Sequence, residues 1–134
     1  MHEWALTDAV VETAESASRE AGMKSVSEVV VVLGELQGID KSIFISAYDQ
    51  MKKNYPRLKK SRIVLENEDV ELHCHGCDRD FKFQKDELDH QTSEAIHFLP
   101  EVARVYIRCP ECGSGDFSVV KGRGFYIKEI RGER

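Results

Sequence analysis

The chain has 134 residues, a formal net charge of −5 and a hydrophobic content of 41%. This length fits one ordinary domain or two small ones, and the acidic balance argues against a protein that mainly binds the phosphate backbone of nucleic acids. No apolar stretch approaches the ~18–20 residues of a membrane-spanning helix, and no basic segment followed by an apolar run indicates secretion. We therefore expect a cytoplasmic protein without membrane or nucleic-acid partners.

The first half of the chain predicts the order helix, strand, helix, strand. Residues 4–21 carry small and apolar side chains at helical spacing. Residues 26–33 include five valines, which is typical of a central strand that is buried on more than one side. Asp40 can cap a second helix, which Pro56 ends, and residues 62–66 predict another strand. This order implies a right-handed crossover and a parallel pair of strands.

The spacing of the apolar residues also predicts which face of each helix is buried. The first helix is expected to bury Leu6, Ala9 or Val10, Thr13 or Ala14, Ala17 and Ala21. The second helix is expected to bury Ile43, Ala47, Met51 and Tyr55, with Phe44 and Tyr48 alongside. The acidic residues of the first helix then face away from this stripe.

The four cysteines stand as two C-x-x-C pairs, separated by the 31 residues 78 through 108. We call these pairs the first knuckle, Cys74 with Cys77, and the second knuckle, Cys109 with Cys112. Four thiolates on two tight turns can enclose a tetrahedral Zn(II) and leave no coordination position open for catalysis. Two disulfide or redox pairs are the alternative, but nothing indicates secretion, and a redox pair leaves the other knuckle unexplained. Iron bound by four thiolates is the main chemical competitor.

Alternating apolar residues predict strands around both knuckles. Residues 70–74 and 81–83 alternate on either side of the first knuckle, residues 105–107 lead into the second and residues 114–120 lead out of it. This arrangement is typical of a zinc ribbon, in which a metal replaces the core that ~50 residues cannot supply. A last strand, residues 125–130, needs a sheet, and the first part of the chain offers one.

We therefore predict an α/β (α+β) fold with two domains. Residues 1–68 and 122–134 form a domain of two helices and a three-stranded sheet, and residues 69–121 form a zinc-ribbon domain that interrupts it. Because the last strand returns across a long insertion, two copies of the chain can exchange segments and form a homodimer.

The first residues, Met1-His2-Glu3, form a second candidate metal site. The bulky second residue protects the initiator methionine from removal, so the free α-amine belongs to Met1. That amine, the backbone nitrogen of His2 and the His2 imidazole can chelate one metal in a nearly planar, nitrogen-rich geometry, which suits Ni(II) or Cu(II). A histidine at position 2 is often accidental, so the interpretation of this pattern depends on its context.

Four features in combination resemble the HypA family of nickel metallochaperones, and the resemblance spans essentially the whole chain. The features are Met1-His2-Glu3 ahead of an amphipathic helix, the strand end Val31-Val32-Leu33-Gly34-Glu35-Leu36, the two knuckles, and the late segment Val120-Lys121-Gly122-Arg123-Gly124. The resemblance implies that the chain carries Ni(II) as cargo to the large subunit of a maturing [NiFe]-hydrogenase or to its maturation complex. It also implies a HypB-type nickel-binding GTPase as a partner.

The same resemblance assigns roles to residues. It implies that His2 is the principal nickel ligand, with the backbone of Met1 and Glu3 nearby, and that the four cysteines bind a structural zinc. His97, within residues 96–101, resembles a segment that brings a histidine to the nickel in archaeal-type relatives. A histidine between apolar neighbours is, however, more often a packed and hydrogen-bonded residue.

The remaining histidines have weaker assignments. His73 and His75 flank Cys74, and either could replace a thiolate, but four cysteines already complete the zinc site, so we expect both histidines outside it. His90 has no assigned role. The chain lacks the Ser-His that follows the knuckles in some bacterial relatives, which puts a pH-driven exchange of cysteine for histidine ligands in doubt.

Two classes of function stay open at this point. Metal delivery by a nickel metallochaperone is favoured by the acidic balance and the metal-ready N-terminus, and the alternative is a zinc-ribbon adaptor that binds a protein or a nucleic acid. We do not expect an enzyme, because the sequence offers no convincing catalytic constellation and no Gly-rich phosphate loop, and a four-thiolate zinc has no open position. The GTP hydrolysis of the pathway must then come from another chain.

Overall fold

The computed structural model describes residues 3–83 and 107–134. Its helices and strands are α1 (Glu3–Glu20), β1 (Ser25–Gly34), a 3-10 turn (Glu35–Gln37), α2 (Lys41–Met51), a second 3-10 turn (Lys52–Asn54), β2 (Arg62–Glu68), β3 (Val70–Cys74), β4 (Asp80–Phe83), β5 (Phe117–Lys121) and β6 (Phe125–Glu133). The described strands form two three-stranded sheets, ordered β2-β1-β6 and β4-β3-β5. The predicted fold class is confirmed. No helix of the described residues is long and apolar enough to cross a membrane.

The chain divides into two compact units. The helical unit consists of Met1–Val32, Ile39–Glu66 and Tyr126–Arg134, and the cysteine unit consists of Leu33–Gly38 and Asn67–Phe125. The body of β1 therefore belongs to the helical unit, whereas the end of β1 and the turn after it belong to the cysteine unit. Each unit has buried apolar side chains of its own.

In the helical unit, α1 buries a face that is rotated from the predicted one. The buried residues are Glu3, Thr7, Val10, Val11, Ala14 and Ser18. Of the predicted stripe, Val10 and Ala14 are buried as expected, whereas the other members are exposed or half-buried, namely Leu6, Ala9, Thr13, Ala17 and Ala21. The Thr7 hydroxyl donates to the Glu3 carbonyl at 2.5 Å, and the Ser18 hydroxyl donates to the Glu15 carbonyl at 3.1 Å. Because these hydroxyls are satisfied within the helix, they can be buried, which apolar spacing alone does not reveal.

The buried face of α2 is also rotated from the prediction. Phe44, Ala47 and Tyr48 are buried, whereas Ile43, which was expected to begin the buried stripe, is 42% exposed. The Tyr48 hydroxyl lies 2.5 Å from the Ser61 hydroxyl, so its polar end is satisfied inside the unit. Phe44 and Tyr48, which were expected beside the buried stripe, therefore lie at its centre.

The ends of α2 follow local chemistry. The predicted cap is confirmed, because the Asp40 carboxylate accepts a hydrogen bond from the Ile43 N–H at 3.2 Å. The helix ends at Met51, and a 3-10 turn follows. Tyr55 then adopts an extended conformation, since the residue before a proline is disfavoured in a helix. The helical stretch therefore stops before Pro56 rather than at it.

Strand β1 lies in the centre of its sheet, as predicted. Its residues Val29 and Val31 are 0% exposed. The Lys24 N–H donates to the Glu133 carbonyl at 2.7 Å. At the other end of the strands, the Gly34 N–H donates to the Gly124 carbonyl at 2.8 Å, so β1 and β6 run antiparallel. The late strand thus returns to this sheet, while the parallel pairing of β1 with β2 stays a prediction.

The cysteine unit has a small core. Its buried apolar cluster consists of Leu36, Val70, Leu72, Phe83, Ile107 and Phe117. β3 pairs antiparallel with β4, where His73 lies opposite Asp80, and with β5, where Cys74 lies opposite Phe117. These pairings confirm a strand on each side of the first knuckle and a strand leading out of the second. Residues 105–106 of the strand predicted before the second knuckle lie outside the described residues.

Candidate metal centre

The side chains of the two knuckles meet in the cysteine unit. All four cysteine Sγ atoms lie within 4.8 Å of one another. The Sγ atoms of Cys74 and Cys112 are 3.5 Å apart, and those of Cys77 and Cys109 are 3.7 Å apart. Four sulfurs placed ~2.3 Å from a tetrahedral Zn(II) lie about 3.8 Å from one another, whereas a disulfide bond measures about 2.05 Å. The four free thiols therefore fit a structural zinc site.

Backbone hydrogen bonds close both knuckles. In the first, the Cys74 N–H donates to the Arg79 carbonyl at 2.8 Å. In the second, the Cys109 N–H donates to the Ser114 carbonyl at 2.9 Å. Each knuckle presents one buried sulfur and one that is more accessible. The buried cysteines are Cys74 and Cys109, and the more accessible ones are Cys77 and Cys112.

Backbone hydrogen bonds, burial and the neighbouring sulfurs shift the pKa values of Cys77 and Cys109. Hydrogen bonds from the backbone of Cys112 and then of Glu111 lower the pKa of Cys109 to about 7. Burial and then the neighbouring thiols raise the pKa of Cys77 to about 12. Four thiolates in this volume repel one another unless a cation lies between them. A divalent metal supplies that charge and deprotonates the thiols that coordinate it.

The His73 side chain contacts two carboxylates rather than the cysteine sulfurs. Its Nδ1 lies 2.6 Å from Asp80 Oδ1, and its Nε2 lies 2.8 Å from Asp78 Oδ1. These contacts raise the pKa of His73, with the hydrogen bond to Asp80 as the largest cause. Because both ring nitrogens are engaged by carboxylates, neither is available to a metal in this arrangement.

His75 lies on the surface beside His73. Its ring is exposed and meets the His73 ring edge to face, with 5.6 Å between the ring centroids. Its backbone N–H donates to the Asp116 carbonyl at 2.9 Å, which ties the first knuckle to the residue that precedes β5. The ring is not part of the cluster that the four sulfurs form.

Of the residues predicted to surround nickel, the structure describes Glu3 alone. Met1, His2 and His97 lie outside the described residues, as does His90. Glu3 is 6% exposed, and its carboxylate accepts a hydrogen bond from the Asp40 N–H at 3.1 Å. Burial raises the pKa of Glu3, but hydrogen bonds, first that from Asp40, outweigh it and leave the pKa below its ordinary value.

The contact between Glu3 and Asp40 joins the first turn of α1 to the N-terminal cap of α2. Asp40 was predicted as the cap of α2, and the backbone of Glu3 was predicted to lie near the nickel. The contact between the two residues was not predicted. The two residues are 37 positions apart, and no local pattern in the sequence links them. The helix that follows His2 is therefore anchored at its first residue.

Comparison with known proteins places the whole chain in one context. A family model described as "Hydrogenase/urease nickel incorporation, metallochaperone, hypA" matches residues 1–132. A relative from Pyrococcus furiosus described as "Hydrogenase maturation factor HypA" is 41% identical, over 100% of this chain and 97% of its own length. A relative of the same description from Moorella thermoacetica is 28% identical, over 99% of this chain and 100% of its own length.

Two solved structures share the fold. The solution structure of the Ni metallochaperone HypA from Helicobacter pylori aligns with a TM-score of 0.66 and 21% identity, covering 99% of this chain and 98% of that one. A second structure, described as the solution structure of HypA protein, aligns with a TM-score of 0.67 and 23% identity, covering 98% of this chain and 96% of that one. At these identities the likeness concerns the fold.

Proposed function

Since the chain belongs to the HypA family, we propose that it acts as a nickel metallochaperone in hydrogenase maturation and holds a structural zinc in its knuckles. The observation that carries this proposal is the family match over residues 1–132, which includes the N-terminal Met1-His2-Glu3 and both knuckles. The family description covers nickel incorporation into hydrogenase and urease. Archaeal relatives at 40–41% identity are described as hydrogenase maturation factors, which favours hydrogenase as the destination.

The zinc is held by Cys74, Cys77, Cys109 and Cys112 in this proposal. The distances among their sulfurs and the free state of all four thiols support it. The described residues of the cysteine unit contribute six buried apolar side chains to its core cluster, and a metal adds a cross-link to a core of this size. We propose that the zinc domain extends over residues 69–121 and the nickel domain over residues 1–68 and 122–134, with the difference that Leu33–Gly38 pack as part of the cysteine unit.

The nickel is held at the N-terminus. The Met1 α-amine, the His2 backbone nitrogen and the His2 imidazole supply three nitrogen ligands, a donor set that suits Ni(II). Glu3 follows directly in the chain, and its buried carboxylate anchors the helix that carries these ligands. His97 supplies a fourth ligand. Because the site lies at a chain terminus, its ligands can be exchanged one at a time for those of a recipient.

The pathway requires partners. We propose a HypB-type nickel-binding GTPase, which supplies the GTP hydrolysis, and the large subunit of a [NiFe]-hydrogenase or its maturation complex as the recipient. Four cysteines that stay reduced fit the cytoplasm, where thiols are kept from forming disulfides. Exchange of the last strand between two copies offers a route to a homodimer.

Nickel titration of the purified, zinc-loaded chain tests the proposal. His2→Ala should abolish specific nickel binding and leave the zinc content at about one per chain, because the imidazole and the cysteines belong to different sites. Two residues added ahead of Met1 should also damage nickel binding, since the α-amine becomes an ordinary amide.

His90→Ala is the matched control, because it removes an imidazole that has no assigned role, and it should bind nickel as the wild type does. Wild-type nickel affinity in both the His2→Ala and the extended protein would refute the proposed nickel site.

A further inference from the structure

The first knuckle contains an unusual backbone position. Asp78, directly after Cys77, has a φ of +59°, and among the described residues it is the one non-glycine residue with a positive φ. Aspartate tolerates this left-handed conformation better than most residues, but an L-amino acid adopts it only where the surrounding structure holds it there. Contacts with neighbouring residues therefore hold the turn that carries Cys77 in this conformation.

His73 makes such a contact. It lies opposite Asp80 in the pairing of β3 with β4, and its ring spans the turn between these two strands. One nitrogen lies 2.6 Å from the Asp80 carboxylate and the other 2.8 Å from the Asp78 carboxylate. Both contacts are satisfied together when each ring nitrogen carries a proton, so that a cation lies between two anions.

This arrangement spans the first knuckle. His73 directly precedes Cys74, Asp78 directly follows Cys77, and Asp80 lies on the strand that leaves the turn. We call the two contacts of the His73 ring, one with Asp78 and one with Asp80, the grip. The grip connects the residues on either side of the two cysteines of this knuckle. Both knuckles are closed by the same kind of backbone hydrogen bond, Cys74 to Arg79 and Cys109 to Ser114. Among the described residues, a histidine ring held between two carboxylates is found at the first knuckle and not at the second.

We propose that His73 is a positioning residue of the zinc site, which through Asp78 and Asp80 holds the first knuckle in its metal-binding conformation. The inference rests on the proposed zinc site. It assigns to His73 a role that requires no bond to the metal, and it explains why both ring nitrogens face carboxylates rather than the sulfurs. Without the grip, the left-handed turn at Asp78 relaxes more often, and the Cys77 sulfur leaves the cluster more readily.

The size of the effect follows from exposure. The side chain of His73 is 31% exposed, and those of Asp80 and Asp78 are 54% and 92% exposed. Ion pairs this close to water are weak individually and are screened by salt, but here two of them act on one turn. We expect zinc release to be about three- to tenfold faster, which is less than the 10–100-fold loss of metal affinity typical of residues that orient metal ligands directly.

Release of Zn(II) from the zinc-loaded full-length chain into an excess of a colorimetric chelator tests the proposal. His73→Gln keeps a polar side chain but replaces one of the two donor nitrogens by an oxygen that only accepts, so it cannot donate to both carboxylates from two separate atoms. It should release zinc about three- to tenfold faster than the wild type. His73→Arg, which can donate to both carboxylates, should return the rate to within about twofold of the wild type. The difference between His73→Gln and the wild type should shrink in ~1 M NaCl.

Asp78→Gly separates the grip from simple turn formation. Glycine adopts a positive φ freely, so a residue that served the turn alone would release zinc no faster after this change. If Asp78 acts as an acceptor for His73, Asp78→Gly should release zinc faster than the wild type. His75→Gln is the matched control, because it removes the neighbouring ring that contacts His73 but leaves both contacts between His73 and the carboxylates in place, and it should behave as the wild type does.

The release rates of these variants decide whether His73 positions the zinc site. Wild-type release rates in His73→Gln and Asp78→Gly, or equal acceleration in His75→Gln, would overturn the proposal. Should His73→Gln hold no zinc at all, the isosteric Asp78→Asn, expected to accelerate release about two- to threefold, carries the test. A wild-type chain that binds no zinc would refute the zinc assignment itself, which is a different result from zinc held equally well with and without His73.

Discussion

The helical unit and the cysteine unit are stabilised by different means. The helical unit buries large side chains completely, with Phe44, Tyr48 and Val31 each 0% exposed, and it packs two helices and a sheet into one unit. Among the described residues of the cysteine unit, the buried cluster has six apolar members, and the same unit holds the four sulfurs. A large apolar core can sustain a fold by itself, whereas a small one needs a cross-link, and here a metal is that cross-link.

The same contrast extends to the proposed function. A zinc enclosed by four thiolates is part of the fold and has to stay, whereas a nickel carried at the chain terminus has to leave. Separate stabilisation lets the chain gain and lose its cargo without unfolding. The variants below are chosen to act on one unit and spare the other.

The largest effect is expected from Cys74→Ser or from removal of zinc by a chelator. The cysteine unit should lose its zinc and unfold, because structural zinc contributes apparent free energies of about 10–16 kcal/mol in small zinc domains. In a ¹H–¹⁵N correlation spectrum, the signals of β3, β4 and β5 should lose their dispersion, while those of α1 and α2 should keep theirs.

Ser118→Ala is a control for Cys74→Ser, since it changes a half-buried hydroxyl on β5 and leaves the sulfurs intact. It should keep both zinc and dispersion. A cysteine unit that stays fully folded without zinc would contradict the contrast between the two units.

The next effect acts on the helical unit. Phe44→Ala should lower its free energy of unfolding by about 3–5 kcal/mol, because it leaves a cavity in the core. Ile43→Ala, one residue earlier on an exposed part of the same helix, should change it by about 0.5 kcal/mol or less. Urea denaturation followed by circular dichroism at 222 nm measures both, and equal losses in the two variants would show that the buried face of α2 is misassigned.

The third prediction concerns His97. If it supplies a nickel ligand, His97→Ala should weaken nickel binding by about tenfold, less than His2→Ala does, since three terminal nitrogens remain. With the GTPase partner present, the variant should also change the rate of nickel exchange, because docking can move this residue onto or off the metal. Nickel titrations with and without the partner measure both effects, and wild-type behaviour in both settings would make His97 a packing residue.

The smallest effect comes from the Tyr48 hydroxyl. Burial raises the pKa of Tyr48, a raising contribution from Asp49 adds to this, and the hydrogen bond with Ser61 lowers it in part. Tyr48→Phe should cost the helical unit about 1 kcal/mol at pH 7 through the lost hydrogen bond. Because the folded-state pKa lies above the ordinary value near 10, the wild-type advantage is present in full below about pH 10 and is lost as the pH rises through the folded-state value.

Denaturation of the wild type and of Tyr48→Phe at pH 7, 9, 10 and 11 measures this gap. It should be constant up to about pH 9 and then narrow. A gap that widens above pH 10 would mean that the folded state lowers the pKa of Tyr48, the effect expected if the Lys52 ammonium, 5.9 Å from the ring centroid, outweighed burial.

Sequence reasoning succeeded where the signal is local. The spacing of the cysteines and the alternation around them predicted the strands of the cysteine unit, because a C-x-x-C turn and a strand each extend over a few residues. The run of valines predicted a central strand for the same reason. The buried face of α1 is rotated because Thr7 and Ser18 bury hydroxyls that bond within the helix, so their burial does not follow from polarity. The buried face of α2 is rotated because Phe44 and Tyr48 form its centre, and Ser61 satisfies the Tyr48 hydroxyl.

Two features of the structure were not predicted, namely the contact between Glu3 and Asp40 and the contacts of His73 with two carboxylates. The Glu3 carboxylate meets the Asp40 N–H across 37 positions, a distance that no spacing rule covers. The contacts of His73 with Asp78 and Asp80 lie within eight residues, and His73 was expected outside the zinc ligands, but its two carboxylate partners were not predicted. The nickel ligands Met1, His2 and His97 lie outside the described residues and stay predictions.

The most direct test of two independent metals on one chain is to measure nickel and zinc together in the wild type, His2→Ala and Cys74→Ser, by elemental analysis after nickel loading and gel filtration. The account predicts that His2→Ala keeps its zinc and loses nickel, while Cys74→Ser loses its zinc and keeps nickel at an affinity no weaker than that of His97→Ala. A His2→Ala protein that retains nickel, or one that loses zinc together with nickel, would contradict it.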